Sequence, residues 1–282
     1  MSYRVCRSCQ HVFVEAAASR EEVAAAYRSR DSHHSSDLKE KWDYSPIKDD
    51  MVYGPLLDKI GKLTRPGRLL DIGCSNGSFV YAANRRGWDG CGIELETGSF
   101  NLARTNGVEV YNKELAEKAF PENHFSAVTM WQVIEHLKDP GEMLAEIYRV
   151  LKPGGVLAVS TPNRRTIGWL LNGVRWQPVE PEVHFHLFDP RGLKDLHDRY
   201  GFAVKAIETA DIKPSTVREF FRIVFRSRCV ERTNSMAEYV NSGSEGKMRF
   251  LFMIRRLINV PLKLTRSGED IYGYFAKPGG DG

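Results

Sequence analysis

Two acids, a run of small residues and a Glu-His pair are the residues whose types and spacing suit chemistry. Residues 69–77 read Leu69-Leu70-Asp71-Ile72-Gly73-Cys74-Ser75-Asn76-Gly77, and Glu94 follows 23 positions after Asp71. A short apolar strand, a small-residue turn, a helix start and an acid closing a second strand together grip an adenosine-bearing cofactor. Gly73 lets the chain bend sharply as the strand ends. Ser75, Asn76 and Gly77 let a cofactor come close to the backbone at a helix N-terminus, and Glu94 is spaced to accept hydrogen bonds from both ribose hydroxyls. Farther on, Glu135-His136 sets a carboxylate beside an imidazole that titrates near neutral pH, suited to taking a proton from a hydroxyl or an amine. His184 and His186 alternate around Phe185, so in an extended segment they point the same way. One is expected to border an acceptor pocket and the other to bond a loop. Cys6-x-x-Cys9 is half of a zinc knuckle, two ligands short of a tetrahedral site unless His11, His33 or His34 supplies them.

Three chemistries use a turn like 73–77. A dinucleotide site wants G-x-G-x-x-G, but Ser75 replaces the middle glycine and Ser78 follows Gly77. A phosphate-cradling P-loop needs a Lys-Ser/Thr pair, which is missing. Gly73-Cys74-Ser75-Asn76-Gly77 is also a literal G-x-S-x-G, the nucleophile elbow of an α/β-hydrolase. Residues 1–66 hold neither the strand series nor the His-Gly-Gly run that precede such an elbow, so a hydrolase using Ser75 stays a minor alternative.

The elements that must position these residues alternate. Strands are expected at 68–72, 89–94, 108–111, 125–131 and 156–160, with helices over 77–86, 97–106 and 140–152, the last ended by Gly154-Gly155. A helix over 51–66 precedes them. Helix 190–200 and strand 202–208 follow, and Ile271 to Ala276 forms a last strand. This alternation predicts a parallel sheet wound by helices. Residues 161–190 read as an irregular loop, with Trp169 and Trp176 as an aromatic lid or as loop-burying residues; a loop of that length is usually functional. Residues 5–14 suit a small hairpin with Cys6 and Cys9 at its knuckle. Glu21 to Arg28 is helical by propensity, and Asp31 to Asp37 reads as a loop.

Composition limits the class. The 42% hydrophobic and 27% charged shares suit a soluble globular chain, and no run of about 18 apolar residues predicts a membrane span. Five scattered cysteines without a secretory leader suggest reduced thiols and a cytoplasmic setting. Residues 211–267 hold twelve Lys/Arg against five Asp/Glu. That local basic excess points to an anionic partner. Apolar residues interleave with it (Phe220-Phe221, Val224-Phe225, Phe250 to Ile258). The segment 214–264 therefore reads as an amphipathic helical lid, able also to touch a membrane surface peripherally. It carries no recognised RNA module, so no nucleic acid is expected.

From Arg68 to Asn163 the chain resembles the class I S-adenosylmethionine (SAM)-dependent methyltransferases. The words that carry the likeness are Val133-Ile134-Glu135-His136-Leu137-Lys138-Asp139-Pro140, Leu151-Lys152-Pro153-Gly154-Gly155 and Thr161-Pro162-Asn163, extended by His184-Phe185-His186-Leu187-Phe188 and Tyr200-Gly201-Phe202. The resemblance implies an α/β, Rossmann-like sheet of seven strands, mostly parallel, with the last strand antiparallel and inserted between the fifth and the sixth. It implies an N-terminal appendage (1–50) with a partial zinc-knuckle remnant, a SAM-binding core (51–210), a helical lid (211–265) before the last strand, and that strand with its tail (266–282). Asp71 would orient the amino-acid end of S-adenosyl-L-methionine. Gly73, Cys74, Ser75, Asn76 and Gly77 would line it, and Glu94 and Leu95 would flank the ribose. Glu114 and Leu115 would bracket the adenine, with Trp131 and Gln132 beside the methyl group. His136 would be the general base, with Glu135 and His184 completing the catalytic set and Thr161-Pro162-Asn163 as pocket wall. Some O-methyltransferases of this kind resemble a Glu-x-x-Glu-His run with a later His around a cation. Here Gln132 stands where the first Glu would be, a weaker ligand for a hard cation, and no metal is expected. The acceptor would be a small molecule, anionic or lipid-linked, methylated at oxygen. A SAM- or nucleotide-binding protein without turnover, docking to a membrane or a partner, is the alternative.

Overall fold

The computed structural model describes residues 2–15, 51–173, 176, 178–210 and 265–279. A hairpin of β1 (Tyr3–Val5) and β2 (Val12–Val14) comes first, then α1 (Gly54–Leu63), β3 (Arg68–Ile72), α2 (Ser78–Asn84), β4 (Asp89–Ile93), α3 (Thr97–Thr105) and β5 (Glu109–Tyr111). Next come α4 (Leu115–Lys118), β6 (Phe125–Trp131), a 3-10 turn (Ile134–His136), α5 (Pro140–Val150) and β7 (Leu151–Pro162). The rest is α6 (Ile167–Asn172), β8 (His186–Leu187), α7 (Pro190–Arg199), β9 (Ala203–Ala210) and β10 (Asp270–Ala276). The helical readings at 21–28 and 214–264, the loop at 31–37, and His33 and His34 lie outside the described residues.

Seven strands form one sheet in the order β5-β4-β3-β6-β7-β10-β9. The pairs from β5 to β7 are parallel, and β10 runs antiparallel to both β7 and β9, as the resemblance implied. Chain order reverses between β3 and β6. In an open α/β sheet, the crevice beyond the strand ends at such a reversal takes the ligand. Both faces of the sheet are covered, so its central strands are apolar almost throughout. On one face Leu70, Val128 and Leu157 pack with Leu144, Ile147 and Val150 of α5. On the other, Leu69, Ala127 and Ala158 pack with Leu57 and Ile60 of α1 and Phe79 of α2. Each large aliphatic side chain buried this way contributes about 1.5–3 kcal/mol.

Two boundaries differ from the sequence reading. Helix α5 stops at Val150, not at the glycine pair. Lys277 Nζ donates to the carbonyls of Tyr148 and Leu151, at 2.8 and 2.9 Å, and so satisfies the helix end. Leu151 already pairs with Phe125, and Gly154 (φ 75°) and Gly155 make an irregularity inside β7 that bonds Lys277. The strand therefore begins five residues early. Residues 161–190 are also more ordered than expected, since α6 and β8 lie within them. Trp169 and Trp176 pack edge to face, with ring centroids 5.9 Å apart, and Trp176 is buried.

The hairpin is no free appendage. β2 pairs antiparallel with β8 (Val12 opposite Leu187, Phe13 opposite His186), giving a second sheet, β1-β2-β8.

Candidate active site

Strand β3 delivers Asp71 to the chain reversal. Its carboxyl is 2% exposed and accepts from Thr129 Oγ1 at 2.6 Å. Burial pushes its pKa up to about 7, with the Thr129 hydrogen bond opposing and the Glu94 charge adding to the rise. The turn that follows is shaped by two positions. Gly73 has φ 72°, and a Cβ there would meet Val133 Cγ2 at 2.6 Å. Gly77 has φ 82°, and a Cβ there would press on Val108 at 2.9 Å and Ala103 at 3.2 Å. Glycine at both lets the turn close against the helix and the loop after β6.

Glu94 closes β4 and reaches back across this turn. Its Oε2 accepts from the Ser75 amide and its Oε1 from the Glu96 amide, each at 2.8 Å. Each carboxylate oxygen has a second lone pair, so the acid can hold the loop and still receive ribose hydroxyls. Burial raises its pKa, while the amides of Glu96 and Ser75 favour the charged form. Leu95, next to it, is 57% exposed and offers an apolar surface.

The other sequence candidates divide. Cys74 turns its side chain into the cluster with Val80, Ala103 and Val108, so only its backbone lies in the turn. Asn76 Oδ1 accepts from Ser78 N and Oγ and organises the start of α2. Glu114 forms a capping box with Glu117 at the start of α4, and Leu115 is buried in the main core. Trp131 packs edge-on against Phe79, and its buried Nε1 finds no hydrogen-bond partner among the described residues. A donor held dry at the end of β6 suits a ligand acceptor group there. Gln132 takes φ 57°, an uncommon conformation for this residue type and one found at functional sites. Its Nε2 donates to Ser160 Oγ at 3.3 Å and Asp270 Oδ1 at 3.5 Å. Asn163 is fully buried, and its Nδ2 donates to the Gly268 carbonyl at 2.8 Å. It ties β7 to the segment before β10 and is a tether more than a pocket wall.

The 3-10 turn after β6 presents Glu135, 1% exposed, and His136. His184 joins them from a distant loop. One ligand-type atom from each of Glu135, His136 and His184 lies within 4.8 Å of the others, and the two imidazole centroids are 4.6 Å apart. His136 Nδ1 lies 2.9 Å from the Val183 carbonyl, and His184 Nδ1 lies 2.8 Å from the Pro178 carbonyl. A carbonyl only accepts, so each Nδ1 is the donor, and in the neutral ring Nε2 is the basic nitrogen. This donor set suits a proton acceptor, and it also suits a cation ligand.

His186 does not share the direction of His184. The amides of Val183 and His184 both bond the Glu180 carbonyl, so the chain turns there and becomes extended only afterwards. His186 instead meets His11, with Nδ1 and Nε2 3.1 Å apart. Burial lowers the pKa of His11 to about 4, helped by the His186 and Arg164 charges. Cys6 and Cys9 lie in the hairpin turn, and no third Cys, His, Asp or Glu joins them among the described residues. Hydrogen bonds from Ser8 and Cys9 lower the Cys6 pKa to about 6.

The sequence reading missed several supporting groups. Asn112 Nδ2 donates to the carbonyls of Glu94 (2.7 Å) and Leu95 (3.1 Å) and fixes the strand end that carries the acid. Its only signal was its place just after β5. Thr129, Ser160 and Asp270 gave none, because each acts through a partner on another strand.

The model of the methyltransferase-domain family matches residues 49–207, more than half of the chain. The chain belongs to the methyltransferase-domain family. A probable S-adenosylmethionine-dependent methyltransferase of Mycolicibacterium smegmatis is 34% identical over 139 residues, which cover 49% of this chain and 52% of that protein. A ubiquinone biosynthesis O-methyltransferase of Paracidovorax citrulli is 33% identical over 112 residues, 37% of this chain and 47% of the relative. The chain therefore spans about half the length of these curated relatives. Among solved structures, a SAM-dependent methyltransferase from Archaeoglobus fulgidus has a TM-score of 0.53 at 21% identity, covering 81% of this chain and 94% of that one. Phosphoethanolamine N-methyltransferase 2 of Haemonchus contortus, in complex with S-adenosyl-L-methionine, has a TM-score of 0.52 at 21% identity, covering 80% and 52%. At such identities the likeness is one of fold. For this methyltransferase domain it agrees with the strand order read above.

Proposed function

We propose that this methyltransferase uses S-adenosyl-L-methionine to methylate an oxygen of a small-molecule acceptor. The observation that carries the reading is the pairing of two sites at adjacent strand ends. Asp71 and the Glu94-braced turn lie at the carboxyl end of β3, and the Glu135-His136-His184 cluster lies beyond β6. SAM supplies a methyl made electrophilic by its sulfonium. Glu94 accepts from the ribose hydroxyls, Asp71 faces the ammonium, and His136 Nε2 takes the proton of the acceptor hydroxyl. Positioning of this kind accounts for about 7–11 kcal/mol of a barrier in favourable cases. Relatives named as O-methyltransferases support oxygen as the target. The basic excess over 211–267 favours an acceptor that is anionic or lipid-linked.

The test uses radiolabelled SAM with phenols, catechols and amines as acceptors. Label is expected on oxygen, and His136→Ala is expected to lower turnover by about 10²–10⁴-fold while SAM binding is retained. Label on amines only, or full turnover in the variant, contradicts the reading. The three-donor cluster favours a second version, in which a divalent cation held by Glu135, His136 and His184 polarises the acceptor oxygen. Turnover that survives chelation and ignores added Mg²⁺ or Zn²⁺ removes this version and leaves His136 acting alone.

A further inference from the structure

We infer that the N-terminal hairpin is the device that positions His184 against His136, and that Tyr3 is a positioning residue within it. The inference rests on the reading of that histidine pair as the acceptor-side site.

Residues 178–187 carry His184 but form almost no regular structure of their own. β8 is two residues long, and an isolated pair of residues does not hold a strand conformation in water. It is extended because β2 pairs with it. Successive backbone positions of this segment each receive a partner from the hairpin. Tyr3 Oη donates to the His184 carbonyl at 2.8 Å, across 181 residues of sequence. The Val14 amide donates to the Phe185 carbonyl at 2.9 Å. Phe13 stands opposite His186 in the ladder, and His11 meets the His186 ring at 3.1 Å. The far side is held by the catalytic turn, since the Phe185 amide donates to the Glu135 carbonyl at 2.8 Å. The segment is therefore clamped between the hairpin and Glu135-His136, with Phe185 buried at the centre.

The hairpin is itself anchored. Arg164 Nη2 donates to the Gln10 carbonyl at 3.0 Å and pairs with Asp189 at 2.7 Å. Burial raises the Tyr3 pKa above its ordinary value, so the phenol stays a donor at working pH. A shift of the His184 backbone works against the Nδ1 bond to the Pro178 carbonyl and so re-aims the ring relative to His136. Among the described residues, the bonds that build the cofactor turn, those of Asp71, Ser75 and Glu94, run among β3, β6, the turn at 73–77 and residues 94–96, and include none from the hairpin. The hairpin should thus govern the acceptor side and leave the cofactor side alone.

The test compares wild type, Tyr3→Phe and His11→Asn in the full chain, using ¹⁵N-histidine ring spectra at one pH and calorimetry with SAM. Tyr3→Phe keeps the aromatic ring and removes one hydroxyl. It is expected to move the ring resonances of both His136 and His184. His11→Asn is expected to move His186 first and His184 less. SAM affinity should stay within about twofold of wild type. Ring resonances of His136 and His184 unchanged by Tyr3→Phe, with melting behaviour also unchanged, would overturn the inference. So would an equal loss of SAM affinity and ring order, which marks general destabilisation. If wild type binds no SAM yet Tyr3→Phe still moves both rings, the positioning claim stands and the functional reading fails.

Discussion

Asp71 is the residue whose environment makes the sharpest statement about ligand binding. A carboxyl buried in the sheet, with its pKa pushed up to about 7, is largely protonated below neutrality in the ligand-free protein. With the SAM ammonium against Asp71, as proposed above, the ionised form would be favoured, so binding would release a proton and the bound-state pKa would lie lower. Affinity for SAM is therefore expected to rise as pH increases through about 7 and then level off. Below that point it should fall by up to about tenfold per pH unit. Calorimetry from pH 5.5 to 8.5 reads this directly, and Asp71→Asn is expected to bind weakly and to flatten the dependence. A wild-type affinity that is flat across the range would detach Asp71 from the ammonium. The type of this residue was legible in the sequence, because an acid before a small-residue turn has few other uses. Its protonation was not, because that depends on burial and on Thr129, which lies on the neighbouring strand.

At the scale of elements, α3 and α5, which flank the site, begin at side-chain caps. Asp139 caps α5 by accepting from the Gly141 and Glu142 amides at 2.8 and 3.1 Å, with Pro140 in the first turn. This cap also fixes where the chain leaves the Glu135-His136 turn. Asp139→Ala is expected to cost about 0.5–2 kcal/mol of stability, read from denaturant unfolding. No loss would mean the helix start is held by packing alone. Such local signals made the core strands and helices readable to within a few residues. Tertiary contacts decided the exceptions. Lys277 ends α5 from the far terminus of the chain. The Gly154-Gly155 pair was read as a helix stop but serves β7. β8 has no propensity signal of its own, since β2 induces it from a distant part of the sequence.

For the whole molecule, the sheet order and its inserted antiparallel strand followed from the alternation of elements together with the family resemblance. The candidate site was legible where it is local in sequence, as at 71–77 with Glu94 and at Glu135-His136. His184 was named beside them through the family resemblance, but the groups that hold these residues were hidden because they come from afar: Tyr3 on His184, Asn112 behind Glu94, and Asp270 beside Gln132. The charge distribution also belongs to this scale, because a basic excess over 211–267 on a weakly charged remainder would draw in, at long range, an anionic acceptor of the kind proposed above. The account as a whole depends on β3, β4 and their joining turn receiving SAM. Isothermal titration of the folded chain with S-adenosyl-L-methionine and with S-adenosylhomocysteine tests that most directly. Saturable one-site binding of both is expected, with Glu94→Ala weakening each by about tenfold or more, the loss of roughly 1.4 kcal/mol. Absence of saturable heat with either ligand on protein of verified fold would contradict the account.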